Sequence, residues 1–379
     1  MLTGVNVIDQ ATLARLLAFA VHKQKNLLTF GPAGTGKTEM AMQACKEAGR
    51  RYVYLNLSVL EAPDLMGLPM IDQETRTTVY ATPRMLPIKR GGKLVKEVHS
   101  EGDDSKPYVL LVDEIDKSKP ELQNPCLELI QFRTMCGREI DIDSVIATGN
   151  LPDEHAFSQP VSHALTNRCL VYKVEPSFEP WQKWAVGAGL NALVVGYLGR
   201  EQDQLLRPPP EGDETAYCHP SPRAWTNAAR DLDDAGNANV DFQTLLVAGR
   251  VGTPAALKFR VWLEHYRHIE PVIQALIEKG DRPTGLTTDR GMICALSGVS
   301  AIQQHCRKIK AASGAQRTEL EKKLDKMVPN VFGWVKDLPP EYIVMAVKAG
   351  FELQTITELK LTRFTDLMAA YSKVKDIIK

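Results

Sequence analysis

The stretch Gly31-Pro32-Ala33-Gly34-Thr35-Gly36-Lys37-Thr38 constrains this chain more than any other. It fills every fixed position of the pattern G-x-x-x-x-G-K-[ST]. Glycines at those places let the backbone wrap closely around an anion. The loop amides and the start of the following helix then turn partial positive charge towards phosphate. Lys37 is placed to reach β- and γ-phosphates, and the Thr38 hydroxyl suits Mg²⁺. The flanking pattern fits the same reading. Asn26-Leu27-Leu28-Thr29-Phe30 reads as a short buried strand, about Lys37 to Ala48 as a helix, and Arg51 to Leu57 as the next strand. Strand, turn, helix and strand in this order open a parallel α/β sheet.

The second half of such a site is expected at Val109-Leu110-Leu111-Val112-Asp113-Glu114, where a buried strand ends in two carboxylates. Asp113 suits the Mg²⁺ shell, and Glu114 suits the base that polarises an attacking water. Asp116 is expected to be solvated or to cap a helix. Three further residues stand with two readings each. Asn150 follows the strand Ser144 to Thr148 and either senses γ-phosphate or is an ordinary turn residue after Gly149. Arg168 precedes the strand Cys169 to Val174 and is either a charge-supplying group or a surface ion-pair member. Arg223 opens a helix behind Pro222, where a solvated arginine is equally ordinary.

The rest of the chain is read more coarsely. Leu13, Leu16, Leu17 and Ala20 mark a helix over 9–23, with Asp9 as its N-cap. Residues 60–106 are expected to be loops with a hairpin, followed by a helix from about Pro120 to Phe132 that has Pro125 awkwardly inside it. Another hairpin tip is expected near Cys136-Gly137-Arg138. After Val174 strand-like runs stop. Helices are expected over 177–200 and 222–235, with a polar, proline-rich stretch over 207–213 between them, and a mainly helical chain from about 255 onward. This suggests three parts: 1–175, 176–255 and 256–379.

Composition limits the function classes. Lys+Arg and Asp+Glu both number 46. A whole-molecule attraction to nucleic acid or anionic lipid is therefore unsupported. Seven scattered cysteines without a C-x-x-C pair read as reduced thiols. No signal-peptide pattern or membrane-length apolar run is present, so a cytoplasmic protein is expected.

With these motifs in order, the chain resembles AAA+ ATPases of the MoxR-like, dynein-related group. The resemblance runs from about residue 10 to residue 235. Beyond the two nucleotide motifs it is carried by Pro63-Asp64-Leu65-Met66-Gly67-Leu68-Pro69, Pro120-Glu121-Leu122-Gln123-Asn124, Ala147-Thr148-Gly149-Asn150, Ala164-Leu165-Thr166-Asn167-Arg168 and Ser221-Pro222-Arg223-Ala224. Cys169 departs from it, standing where the group carries an aromatic residue. The resemblance implies an AAA+ parallel-sheet core with helices on both faces, an α-helical lid over 176–255 and a helical C-terminal extension. It implies ATP and Mg²⁺ as cofactors. It also implies that Asn150 is sensor 1, Arg168 an arginine finger reaching ATP on a neighbouring subunit, and Arg223 sensor 2. The oligomer it implies is a homo-oligomeric, usually hexameric ring acting on a protein client, often with a von Willebrand factor A-like partner. The segment from Leu65 to Pro83 and the hairpin near Arg138 are expected to face the ring pore, or else to be surface loops. Arg84, Lys89, Arg90, Lys93 and Lys96 read as a solvated basic loop. The competing functions are a DNA-linked AAA+ loader or restriction-type motor, and a nucleotide-dependent scaffold.

Overall fold

The computed structural model describes residues 5–150, 160–208, 217–236, 238–267, 269–340 and isolated positions between 342 and 373. The chain divides into two compact units, 1–177 and 178–379.

The first unit is built on a six-stranded sheet in the order β1-β12-β2-β11-β8-β3. Its strands are β1 (Asn6–Ile8), β2 (Leu27–Phe30), β3 (Tyr52–Asn56), β8 (Tyr108–Asp113), β11 (Ile142–Gly149) and β12 (Leu170–Val174). Every pairing in it is parallel. A parallel sheet is covered on both faces, which is why β2 and β8 are near-continuous apolar runs rather than alternating ones. Successive side chains then serve opposite layers. Leu27, Val109, Leu111 and Ile146 pack with Leu13, Leu17, Ala41 and Cys45. These come from helices α1 (Gln10–Lys23) and α2 (Lys37–Glu47). Leu28, Phe30, Leu110 and Val112 pack on the other face with Leu122, Cys126 and Leu129.

The helix boundaries follow local chemistry. Asp9 caps α1 by accepting a hydrogen bond from the Thr12 amide at 2.8 Å, as expected. After the short α3 (Ala62–Met66), the region expected to hold one hairpin holds two: β4 (Pro69–Ile71) with β5 (Thr78–Tyr80), and β6 (Ile88–Arg90) with β7 (Lys93–Lys96). Lys89, Arg90, Lys93 and Lys96 therefore lie in a hairpin rather than a loop, Arg84 lies in the turn before it, and Lys89 is ion-paired to Asp141 at 2.6 Å. Helix α4 (Pro120–Phe132) runs through Pro125. Proline there forgoes the bond to the carbonyl four residues back, but burial of Leu122, Cys126, Leu129 and Ile130 holds the helix. The strands β9 (Thr134–Met135) and β10 (Arg138–Ile140) turn at Cys136 and Gly137, both at positive φ, as a two-residue hairpin turn requires. β10 joins them to β6, giving a four-stranded sheet β7-β6-β10-β9. A one-turn helix, α5 (His163–Thr166), precedes β12.

The second unit is helical: α6 (Phe178–Gly187), α7 (Ala192–Arg200), α8 (Pro222–Ala235), α9 (Val240–Val251), α10 (Thr253–Arg267), α11 (Glu270–Lys279), α12 (Thr288–Ala311) and α13 (Gly314–Val335). It holds two apolar clusters. One centres on Trp225, Tyr197 and Phe259, the other on Ile302, Val331 and Phe332. Of the expected proline-rich stretch, positions 209–213 lie outside the described residues, as do 351–364 and 374–379 of the expected helical C-terminus. No helix among the described residues is long and apolar enough to cross a membrane. All seven cysteines are free thiols.

Candidate nucleotide site

Parallel strands bring their carboxyl ends to one edge, and ligands of open α/β sheets bind there. Residues 31–38 leave β2 at that edge. Asp113 ends β8, and Asn150 follows β11, which lies between β2 and β8. Sequence-distant residues thus meet because three adjacent strands point the same way.

The loop is shaped by its glycines. Gly36, at φ 87°, opens α2 with no side-chain cap, so the first amides of the helix remain available to an anion. Gly31 has φ 152°, and a Cβ there would stand 2.2 Å from the Val174 carbonyl oxygen. Gly31→Ala is therefore expected to lower stability on the order of 3 kcal/mol and to weaken nucleotide binding. Urea unfolding beside nucleotide titration checks this, and parent-like values in both would show that the loop tolerates the methyl. The Lys37 ammonium donates to the carbonyls of Gly31 at 2.6 Å and Pro32 at 2.9 Å. Thr35 Oγ1 donates to the Pro32 carbonyl at 3.0 Å.

The carboxylate of Asp113 collects four donors. The Thr38 hydroxyl donates to Oδ1 at 3.0 Å, as does the Glu114 amide at 3.0 Å. Thr148 Oγ1 donates to the same oxygen. The Tyr54 phenol donates to Oδ2 at 3.0 Å. Partial burial, followed by the charges of Asp113 and Glu114, pushes the Tyr54 hydroxyl up to about 12, so it is a neutral donor at ordinary pH. A threonine hydroxyl beside a carboxylate is a hard-oxygen donor set, suited to Mg²⁺. Among the described residues no group of three or more His, Cys, Asp and Glu forms a metal cage. A cation at Thr38 and Asp113 would thus take its other ligands from phosphate and water, which is how Mg²⁺ usually binds beside nucleotides.

Glu114 stands at φ 54°, ψ 41°, a left-handed conformation uncommon outside glycine and often found at functional sites. Its carboxylate pairs with Lys117 at 2.8 Å. Burial works against its ionisation, but contacts from Lys117, Ser58 and Asn56 outweigh that and hold its pKa below the ordinary glutamate value. Asp116, expected at the surface or in a cap, is instead fully buried, with its Oδ1 2.9 Å from where a Gly149 Cβ would lie. Asn150 is buried.

Arg168 lies elsewhere in the first unit. It precedes β12, at the amino edge of the sheet, so the length of β2 separates it from the loop at 31–38. Its Nε donates to Gln131 Oε1 at 2.8 Å and its Nη1 to the Ala164 carbonyl at 2.6 Å. Its own carbonyl accepts from Asn26 Nδ2 at 3.3 Å. Asn26 Oδ1 in turn accepts from Arg133 at 2.8 Å and from the Val145 amide at 3.2 Å. Cys169 packs beside the core, and burial pushes its thiol up to about 11. Arg223 is exposed in the first turn of α8, in the second unit.

Tyr54, Thr148, Asn56, Ser58, Lys117, Gln131 and Asn26 are contacts that sequence reading missed. Only Lys117 carried a local signal, three residues after Glu114 in a turn.

Residues 27–156 match the family described as "ATPase family associated with various cellular activities (AAA)". The chain carries an AAA ATPase domain. The match supports nucleotide binding and ATP-driven activity by this domain. None of the curated proteins matches the chain. Among solved structures, Brucella abortus NtrX in complex with ADP aligns at 16% identity and a TM-score of 0.33, covering 91% of this chain and 68% of that one. A mutant RuvB from Thermotoga maritima aligns at 14% identity and a TM-score of 0.36, covering 72% and 78%.

The two segments expected to face a pore are joined to each other. Arg138 Nη1 donates to the Met66 carbonyl at 3.1 Å, and Nη2 donates to the Tyr80 carbonyl. The β4–β5 hairpin held this way exposes Leu68, Met70, Ile71, Val79 and Tyr80.

Proposed function

We propose that this chain is a cytoplasmic, Mg²⁺-dependent ATPase of the MoxR-like AAA+ type. In this reading it works as a homo-oligomeric ring, of six subunits by resemblance, and uses hydrolysis to remodel or activate a protein client. A von Willebrand factor A-like partner belongs to the same reading. The observation that carries it is the meeting of Lys37, Thr38, Asp113, Glu114 and Asn150 at one sheet edge. Amides of residues 31–38 and Lys37 hold the phosphates. Thr38 and Asp113 would hold Mg²⁺, which when bound would neutralise part of the phosphate charge. Glu114 takes the proton from the attacking water, and Asn150 orients that water or senses the γ-phosphate.

The placement of Arg168 supports its role as an arginine finger in trans. An arginine at the amino edge of its own sheet has no short path to its own phosphates, whereas a neighbouring subunit can receive it. Arg223 is assigned as sensor 2, on a lid spanning 176–255. The extension over 256–379 belongs to the same reading; it shares one compact unit with the lid segment, and its Phe259, Leu263 and Leu296 pack with Trp225. The exposed apolar hairpin over 68–81 suits contact with a polypeptide client better than with a phosphate backbone.

The test is steady-state ATP hydrolysis against protein concentration, with mass measured in parallel and with DNA added in a separate arm. Specific activity should rise as mass rises and should vanish without Mg²⁺. Activity independent of concentration, at constant mass, would remove the ring mechanism. Strong stimulation by DNA would favour the loader or motor reading.

A further inference from the structure

The Asp113 carboxylate is held from two sides, and the second side has no counterpart in any local sequence pattern. Alternation along the strands places Tyr54, Asp113 and Thr148 on the sheet face that carries α1 and α2. The register pairs Tyr54 with Leu111 and Asn56 with Asp113. Tyr54 therefore lies diagonally behind Asp113 on the neighbouring strand, within reach of a long side chain. β3 is the edge strand, and the Tyr54 side chain is 41% exposed. At such a position a phenol ordinarily turns to water. Here it donates to Asp113 Oδ2 at 3.0 Å, while Thr38 from α2 donates to Oδ1 at 3.0 Å. Turning the carboxylate would break contacts on both oxygens at once.

We propose that Tyr54 is a positioning residue for the cation site: its hydroxyl fixes the orientation of the Asp113 carboxylate that, with Thr38, would hold Mg²⁺. This rests on Asp113 and Thr38 being the Mg²⁺ residues of the nucleotide site. Hydrogen bonds to a ligating carboxylate orient it and tune its affinity, and losing such a partner typically costs 10- to 100-fold in metal binding.

The test is a Mg²⁺ titration of fluorescent N-methylanthraniloyl-ADP binding to the full chain, which involves no turnover. Tyr54→Phe keeps the ring and removes the one hydrogen bond. It should raise the Mg²⁺ midpoint about 10-fold or more, with nucleotide affinity in EDTA equal to that of the parent. Asp113→Ala serves as the reference. A Tyr54→Phe midpoint equal to the parent's, while Asp113→Ala shifts it, overturns the role of Tyr54 alone. The same holds if Tyr54→Phe only lowers the melting temperature. If Asp113→Ala leaves the midpoint unmoved, the Mg²⁺ assignment itself falls and the proposal falls with it.

Discussion

Glu114→Gln is expected to slow ATP turnover by about 10²- to 10⁴-fold, the usual contribution of a positioned general base, while nucleotide affinity stays within a few-fold. The substitution keeps size and hydrogen bonding but cannot accept the proton. A variant that binds nucleotide and turns over at the parental rate would remove Glu114 as the base. The surroundings of Glu114 make a second, linked prediction about pH. Burial opposes ionisation of the carboxyl, but Lys117, Ser58 and Asn56 together hold its pKa below the ordinary glutamate value. A depressed pKa keeps the carboxylate ionised to lower pH, so the acid limb of the activity profile should lie below that value. Lys117→Met removes the nearest cation, 2.8 Å away, and lets burial dominate. Its acid limb should therefore move to higher pH. A limb that stays in place or moves down would show that Lys117 does not govern the base.

Arg168→Ala should lower turnover by about 10³-fold or more, in the range of arginine fingers, without changing the mass of the assembly. The size of the effect comes from placing a cation against charge that develops only in the transition state. Arg168 is held by Gln131 and the Ala164 carbonyl, and its backbone by Asn26. Gln131→Ala should accordingly give a smaller loss of the same kind. Mixing parent with an excess of Arg168→Ala separates the trans model from a local one. Activity of the mixture should fall below the sum of the separate activities, because parental sites receive inactive neighbours. Simple additivity, with the variant alone near parental rate, would return Arg168 to an ordinary surface contact.

Much of this site is legible in the amino-acid sequence, for identifiable physical reasons. A phosphate loop is local: its glycines, Lys37 and Thr38 lie within eight consecutive positions because neighbouring amides must surround one anion. The strand ending in Asp113 and Glu114 is legible because a strand covered on both faces is apolar throughout, and the carboxylates mark where it leaves the core. The same logic locates β2, β3, β11 and β12 to within about two residues, the usual ambiguity of element ends. Asp116 departs from expectation because a charged residue just beyond a strand is ordinarily solvated, whereas here the turn after Glu114 folds it beneath Gly149.

The sequence by itself determined the nucleotide-binding loop, its helix, the acidic strand end and the class of sheet, since each depends on residues close along the chain. Only the tertiary structure decided that β11 and β8 lie between β2 and β3. It alone set Tyr54 and Thr148 on Asp113, put Asn56 and Ser58 beside Glu114, and tied the β4–β5 hairpin to Arg138. It also sent Arg168 to the edge of the sheet away from the phosphate loop. These follow from strand order and register. A parallel crossover can return a strand beside any earlier one, so the partners of a side chain at a strand end depend on a global arrangement that no local pattern of residues encodes.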